Sequence, residues 1–483
     1  MFRRPGAAIA DESARKESLL LTIVVSPVGE GIVLSYRTMF YYSISFCFYL
    51  SIHALASPLS GGVDFHTRKQ TPRVILRNFS HPLFCSQEKC SMSAAHRHGI
   101  DRHSPGVLLH AQTEALLELS LRDFMADLRA LDLAQHVDLA RHTGQDGAWA
   151  QLRLNAQAAA QWAPGHDTTE LCSRLELDTQ GCPDDLVREI LIALLLSPIP
   201  FLFPSHAELA SAVRVRKNIV QAARLTALAF DTEHAERPQE YWTYSEERGF
   251  TVRDGAKLIE ALQKTTQPDR SHKLYSFSCY RATEYVILLA IAQELAISNP
   301  DLLAMLQRQW ETKAIMSGQF HEVFLREFGS MSEPLPPKYY IPGDRLWFRN
   351  PDEHSSNVEG YEGSWVFYLG DGLFTNFWKR DQPFTLTTKC VELFHWRNAT
   401  YRDAAGKLQV DDDVVDERVA ASLRDPQEVS AILESMLRLR DPGGVYLDGG
   451  CIDTSRECVR LLRPGTSEIG LPESNPMQAQ AGL

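Results

Sequence analysis

From Tyr285 to Ala292 no side chain is strongly polar, and the run lies inside a longer stretch, Lys273 to Leu295, with helical spacing. Ala282, Tyr285, Val286 and Leu289 share one face, and Ile287, Leu288 and Ile291 fill much of the opposite one. A helix that is apolar nearly all round is a buried one, and this run is too short to cross a membrane. Ser276 and Ser278 stand ready to cap it, and Cys279 opens it.

Upstream, the pattern predicts a helix from Gln112 to Leu133, a second from about Trp149 to Trp162, and a third that starts at Pro183-Asp184-Asp185 and stops before Pro198. Ser205-His206-Ala207-Glu208 is a capping-box start. The helix it opens passes through Leu209, Val213, Ile219 and Leu225, with Arg214, Arg216 and Lys217 on a basic face. Tyr241–Tyr244 and Phe250–Arg253 read as strands, Ala256–Leu262 as a helix after Asp254, and helical sequence carrying Trp310, Phe320 and Phe324 leads to a break at Pro334–Pro337. Strands follow at Gly343–Arg349, Ser364–Leu369 and Leu373–Trp378, the last two joined by a tight turn at Gly370-Asp371-Gly372. Helices are expected at Thr387–Trp396 and, beyond an acidic segment after Asp411, near Val429–Leu439.

The fold class implied is α+β, a buried cysteine-bearing helix on an antiparallel sheet plus an N-terminal helical region. The expected organisation is an N-terminal segment 1–103, a helical support region 104–204, a core 205–400, a helical extension 401–463 and a disordered tail 464–483. The first segment holds two apolar runs, Leu19–Tyr36 and Met39–Ala56, the second uncharged and at the lower length limit for a membrane span. One reading of residues 39–56 is a signal anchor. The preferred reading is an over-extended start, with translation beginning at an internal methionine such as Met92 and no membrane association. His96, His98 and His103 lack the companion ligands of a familiar metal site and read as a solvated segment.

Hydrophobic residues make up 44% and charged residues 23% of the 483, an ordinary globular composition. The net charge of -12 argues against nucleic acid or an anionic membrane surface as the main partner. Nine scattered cysteines suggest free thiols in a reducing compartment, hence a cytoplasmic location. Against that background Cys279 has two readings. One is a small core residue. The other is a nucleophile whose thiolate is favoured by the positive end of the helix dipole.

A cysteine opening a buried helix ahead of antiparallel strands is the layout of papain-like thiol enzymes. The segments Ser205–Leu209 with Arg214, Arg216, Lys217, Asn218 and Ile219, then Tyr241-Trp242, Tyr275–Cys279, Gly343–Pro351 and Val366–Gly370 occur in that order. Together they resemble the small bacterial protein-glutamine gamma-glutamyltransferases of spore formers, over about residues 205–397. The resemblance implies a transglutaminase-like core related to papain and NlpC/P60 proteins. It also implies attack of a cysteine on a glutamine carboxamide, loss of ammonia, and transfer of the acyl group to a lysine amine to form an isopeptide crosslink. The partners implied are protein substrates bearing Gln and Lys, and no cofactor or metal is implied.

On that pattern Cys279 is the nucleophile. The family's Glu before the cysteine is Ser278 here, its catalytic Glu falls on Ser364, and its His falls on Asn376. Serine and asparagine donate and accept hydrogen bonds but take no proton near neutral pH. Glu362, two residues before Ser364, would share its strand face and is a substitute base or else a loop acid. Glu284 reads as a buried, partner-bound carboxylate, His395 as structural and Asp371 as part of a turn, while His321 and His354 have no pattern behind them. Trp347, Trp365 and Trp378 are core fillers or walls of a substrate channel. Three functions remain open: an active acyltransferase, a catalytically impaired relative that binds a protein segment, and a cysteine hydrolase on the same core.

Overall fold

The computed structural model describes residues 23–28, 31–36, 105–144, 147–229, 235–441 and 449–472. The chain divides into two units, Met1–Ser80 and His81–Leu483. In the first, strands Ile23–Val28 and Gly31–Tyr36 pair as an antiparallel hairpin. The expectations placed on residues 39–56, on Met92 and on His96, His98 and His103 lie outside the described residues. Among the described residues no helix is long and apolar enough to cross a membrane.

The second unit is built around helix Cys279–Ser298, whose N-cap Ser278 accepts the Arg281 amide on its Oγ at 3.3 Å. Every residue from Ala282 to Ala292 is buried, so this stretch has no solvent face, as its all-round apolar pattern requires. Helices His206–Leu225 and Leu258–Thr266 pack against it. Ser205 caps the first of these, accepting the Glu208 amide at 3.2 Å. The reciprocal half of the expected capping box is absent, because Glu208 Oε1 accepts the amide of Arg463 at 3.0 Å.

On its other side the Cys279 helix lies on a six-stranded sheet. The strands run in the order Phe384–Thr385, Leu373–Phe374, Gly363–Gly370, Arg345–Arg349, Arg456–Val459 and Leu325–Phe328, with every pair antiparallel. Period-two alternation divides the side chains of Gly363–Gly370 between two cores. Phe367 and Leu369 join the Cys279 helix. Val366 and Tyr368 join a second core with Leu346, Phe348 and helix Leu386–Trp396.

Four expectations are corrected. Residues 104–204 are not only helical: strands Val137–Gly144, Gly147–Leu154, Gly106–Ala111 and Pro200–Phe203 form a four-stranded sheet in that order. The stretch read as helix from Trp149 is strand until Leu154, with Ala148, Ala150, Leu152 and Leu154 buried on one face, and helix only over Ala156–Trp162. Residues 401–463 hold helices Asp412–Ser422 and Pro426–Met436, but they also return a strand, Arg456–Val459, to the interior of the main sheet. Finally, residues 464–472 are not a loose tail; Leu471 is buried and Glu468 Oε2 accepts the Leu461 amide at 3.2 Å.

The hairpin that ends Gly363–Gly370 is held from below. Gly370, Asp371 and Gly372 all have positive φ, and a Cβ on Gly370 would lie 2.3 Å from Glu189 Oε2. That carboxylate is fully buried and accepts the Tyr368 hydroxyl at 2.9 Å and the Asp371 amide at 3.1 Å. Burial pushes its pKa up to about 7, although its bonds to Cys172, Tyr368 and Asp371 oppose the rise. A carboxyl raised in the folded state contributes stability fully present below its unfolded value and lost as pH rises through about 7. The unfolding free energy of the wild type from denaturant titration is expected to fall between about pH 4.5 and 7 by an amount on the order of a few kcal/mol, and Glu189→Gln is expected to flatten that fall.

Candidate active site

Strand Gly363–Gly370 has unequal neighbours. Strand Arg345–Arg349 pairs with it from Gly363 to Phe367. On the other side Leu373–Phe374 reaches only Tyr368 and Gly370. The Phe367 amide points to that second side, where it donates to Thr375 Oγ1 at 3.0 Å. Two residues earlier the Trp365 amide points the same way, past the end of its partner strand, and it favours the thiolate of Cys279. The first residue of the buried helix thus sits at the lateral edge of the sheet, half-buried.

Both layers reach that edge. From the helix side comes Arg345, 1% exposed, its guanidinium carbon 4.1 Å from the Trp365 ring centroid and 4.4 Å from that of Tyr280. From the second core comes Lys389, also buried, paired with Glu392 at 2.6 Å and seated 4.2 Å from the Phe384 ring centroid. Burial pushes the Cys279 thiol up; the Trp365 amide, Lys389, the Tyr280 backbone and Arg345 pull it down, and burial prevails. The expectation of a thiol lowered by its helix N-terminus is therefore reversed: the dipole is present, but the desolvation of the sulfur is larger.

The other candidates are placed as follows. Ser364 is half-buried at the start of its strand, opposite Phe348 and next to Trp365. Asn376 directs its carboxamide into its own loop, donating from Nδ2 to Gln382 O at 3.1 Å and accepting the Lys379 amide at 3.1 Å. Glu362 lies just outside the strand, exposed, accepting the Gly360 amide at 3.1 Å. So Ser364 lies on the strand face shared with Val366 and Tyr368, turned to the second core, and the polar atoms of Asn376 and Glu362 are engaged in local turns.

Glu284 is buried and bound by Arg281 at 2.6 Å and Ser317 at 3.3 Å. His395 is buried, its Nε2 2.7 Å from Ser422 Oγ and its Nδ1 3.0 Å from Asn398, as a structural histidine would be. Asp371 serves the turn described above. His354 is exposed ahead of a short turn, and His321 pairs with Glu457 at 3.2 Å. Trp347 and Trp365 stack with centroids 5.7 Å apart, and Tyr280 meets Trp365 edge-on at 5.2 Å. Trp378 is 41% exposed. Among the described residues no group of three or more His, Cys, Asp or Glu is placed to hold a metal ion.

Sequence reasoning missed Arg345, Glu457 and Lys389. A signal existed for the first: a guanidinium between Asp344 and Leu346, inside an apolar strand, demands a buried partner. Glu457 sits in Arg-Glu-Cys-Val, which carries too few β-formers to announce a strand.

A curated protein-glutamine gamma-glutamyltransferase of Halalkalibacterium halodurans is 28% identical over 217 residues, 44% of this chain and 70% of its own. The solved transglutaminase of Geobacillus stearothermophilus, without its C-terminal extension, aligns with 44% of this chain and 98% of its own at 20% identity and a TM-score of 0.32. The family model described as protein-glutamine gamma-glutamyltransferase matches residues 169–467, which run from ahead of the Glu189 helix to beyond the returning strand Arg456–Val459. With more than half its length matched and its cysteine helix, antiparallel sheet and returning strand inside the match, the chain belongs to the protein-glutamine gamma-glutamyltransferase family, enzymes of the acyltransferase class.

Proposed function

We propose that this protein moves the acyl group of a protein-bound glutamine to a lysine amine through Cys279, without a metal. The thiol adds to the carboxamide carbon, a C–S bond forms, and the C–N bond breaks. The thiol proton leaves with the nitrogen as ammonia. The lysine amine then attacks the thioester, a C–N bond replaces the C–S bond, and the amine's proton restores the thiol. No proton is gained or lost over the cycle. A thiol that is protonated at rest therefore supplies the proton its leaving group needs. The observation that carries this reading is the place of Cys279 as the first residue of the buried helix, where the Trp365 amide, Lys389 and Arg345 all favour its thiolate.

A second reading keeps the fold and loses the chemistry, with the cleft serving to bind a protein segment. It is favoured by Ser364 and Asn376, which put no proton acceptor where the family pattern has Glu and His. One assay separates the readings. The protein is incubated with a glutamine-rich protein and a labelled primary amine at pH 8, and both ammonia and bound label are measured. Equal ammonia and label are expected. Ammonia without label makes it a hydrolase, and neither, with the protein substrate still bound, makes it a binding module.

A further inference from the structure

Arg345 is held by two hydrogen bonds and by two aromatic rings. Its Nε donates to Thr283 Oγ1 at 2.8 Å, inside the first turns of the Cys279 helix. Its Nη1 donates to Glu457 Oε2 at 2.8 Å, on the neighbouring strand. Its plane lies over the rings of Tyr280 and Trp365. Tyr280 directly follows the cysteine and meets the Trp365 ring edge-on at 5.2 Å, and the Trp365 amide favours the thiolate. The guanidinium thus clamps the two residues that frame the thiol. An arginine buried this deeply carries a large desolvation cost, and one carboxylate offsets only part of it.

We propose that Arg345 is a positioning residue for the acyl transfer, holding the Trp365 amide and the first turn of the Cys279 helix around the sulfur and lending its charge to the thiolate. This rests on the assignment of Cys279 as nucleophile. The ionisable groups that face this charge are Glu457, itself paired with His321 at 3.2 Å, Tyr280, and Glu284, which Arg281 already binds at 2.6 Å. Burial would raise the Glu457 carboxyl, but Arg345 and His321 hold it below its usual range, so it is the standing counter-ion. Lys389, with its own partner Glu392, acts on the sulfur from the opposite layer.

The test is the pH dependence of Cys279 alkylation by iodoacetamide, followed by peptide mass on the full chain. The charge-free double variant Arg345→Met/Glu457→Gln is expected to raise the alkylation midpoint by about one pH unit, roughly tenfold slower labelling at a fixed pH below it. Arg345→Lys is expected to hold the midpoint. Glu457→Gln alone is expected to lower it, because the arginine then loses its counter-charge. These opposite signs set an electrostatic role apart from a structural one, which would disturb all variants alike. An unmoved midpoint in the folded double variant overturns the proposal. So does a rise for Glu457→Gln, which decides the matter even where the double variant does not fold. Failure of the wild type to alkylate at Cys279 would overturn the nucleophile assignment itself.

Discussion

Cys279→Ala is expected to abolish incorporation of a labelled amine, by roughly 10³-fold or more, while leaving the melting curve almost where it was. The loss is large because covalent catalysis has no partial form: without the sulfur there is no thioester to which an amine can add. The stability change is small because the residue is half-buried at the first position of its helix, where its side chain caps nothing. Ser278 remains to cap the helix, and the apolar run from Ala282 to Ala292 stays packed. The buried thiols are poor substitutes. Cys172, Cys390 and Cys451 are at most 2% exposed, and burial raises Cys172 and Cys451 far above an ordinary thiol. Amine incorporation that survives in Cys279→Ala, measured by mass on the crosslinked product, would remove Cys279 from the chemistry. Loss of incorporation with unchanged binding of the protein substrate would place the effect at the bond-forming step.

How much of this could be read from the chain depends on the kind of signal each element carries. The Cys279 helix was legible because its burial is complete and its residues say so at every position. Strand Arg345–Arg349 and strand Gly363–Gly370 were legible because aromatic residues crowd short apolar runs there and the turns around them hold Gly, Asn and Pro. Strand Gly147–Leu154 was hidden because its inward positions begin with Ala148 and Ala150, residues with strong helix propensity. Only the pairing with Val137–Gly144 and Gly106–Ala111 overrides that local preference. Strand Arg456–Val459 was hidden because its charges are neutralised by tertiary partners. Glu457 meets Arg345, and Arg456 donates to the backbone oxygens of Asp453 and Ser455 at 2.8 and 2.7 Å. At the site Cys279 was legible as the residue that opens the helix. Its electrical surroundings were not, because Lys389 and Arg345 come from distant elements and meet only where the sheet edge brings both layers to one sulfur.

Arg216→Met is expected to cost about 3–5 kcal/mol of stability, the largest loss from any single change considered. Arg216 and Asp344 are 5% and 3% exposed, with Nη1 2.7 Å from Oδ1. Asp344 Oδ2 also accepts the Ile341 amide at 2.8 Å, so the carboxylate is oriented by the backbone as well as by the cation. Between the two elements the fit is close. Gly343 has φ +88°, and a Cβ there would lie 2.9 Å from the Cα of Arg216. Methionine would fill the volume of the arginine stem yet leave the aspartate charge buried without its partner. The double variant Arg216→Met/Asp344→Asn should recover most of the loss, because asparagine keeps an acceptor for the Ile341 amide and removes the stranded charge. Urea titrations of the three proteins, with slopes held equal, measure this directly. Less than about 1 kcal/mol lost in the single variant, or no recovery in the double, would mean that the ion pair does not join these elements. The pair ties helix His206–Leu225 to the turn immediately before Arg345. A weakened pair should therefore also slow alkylation of Cys279 under conditions where the chain is still folded.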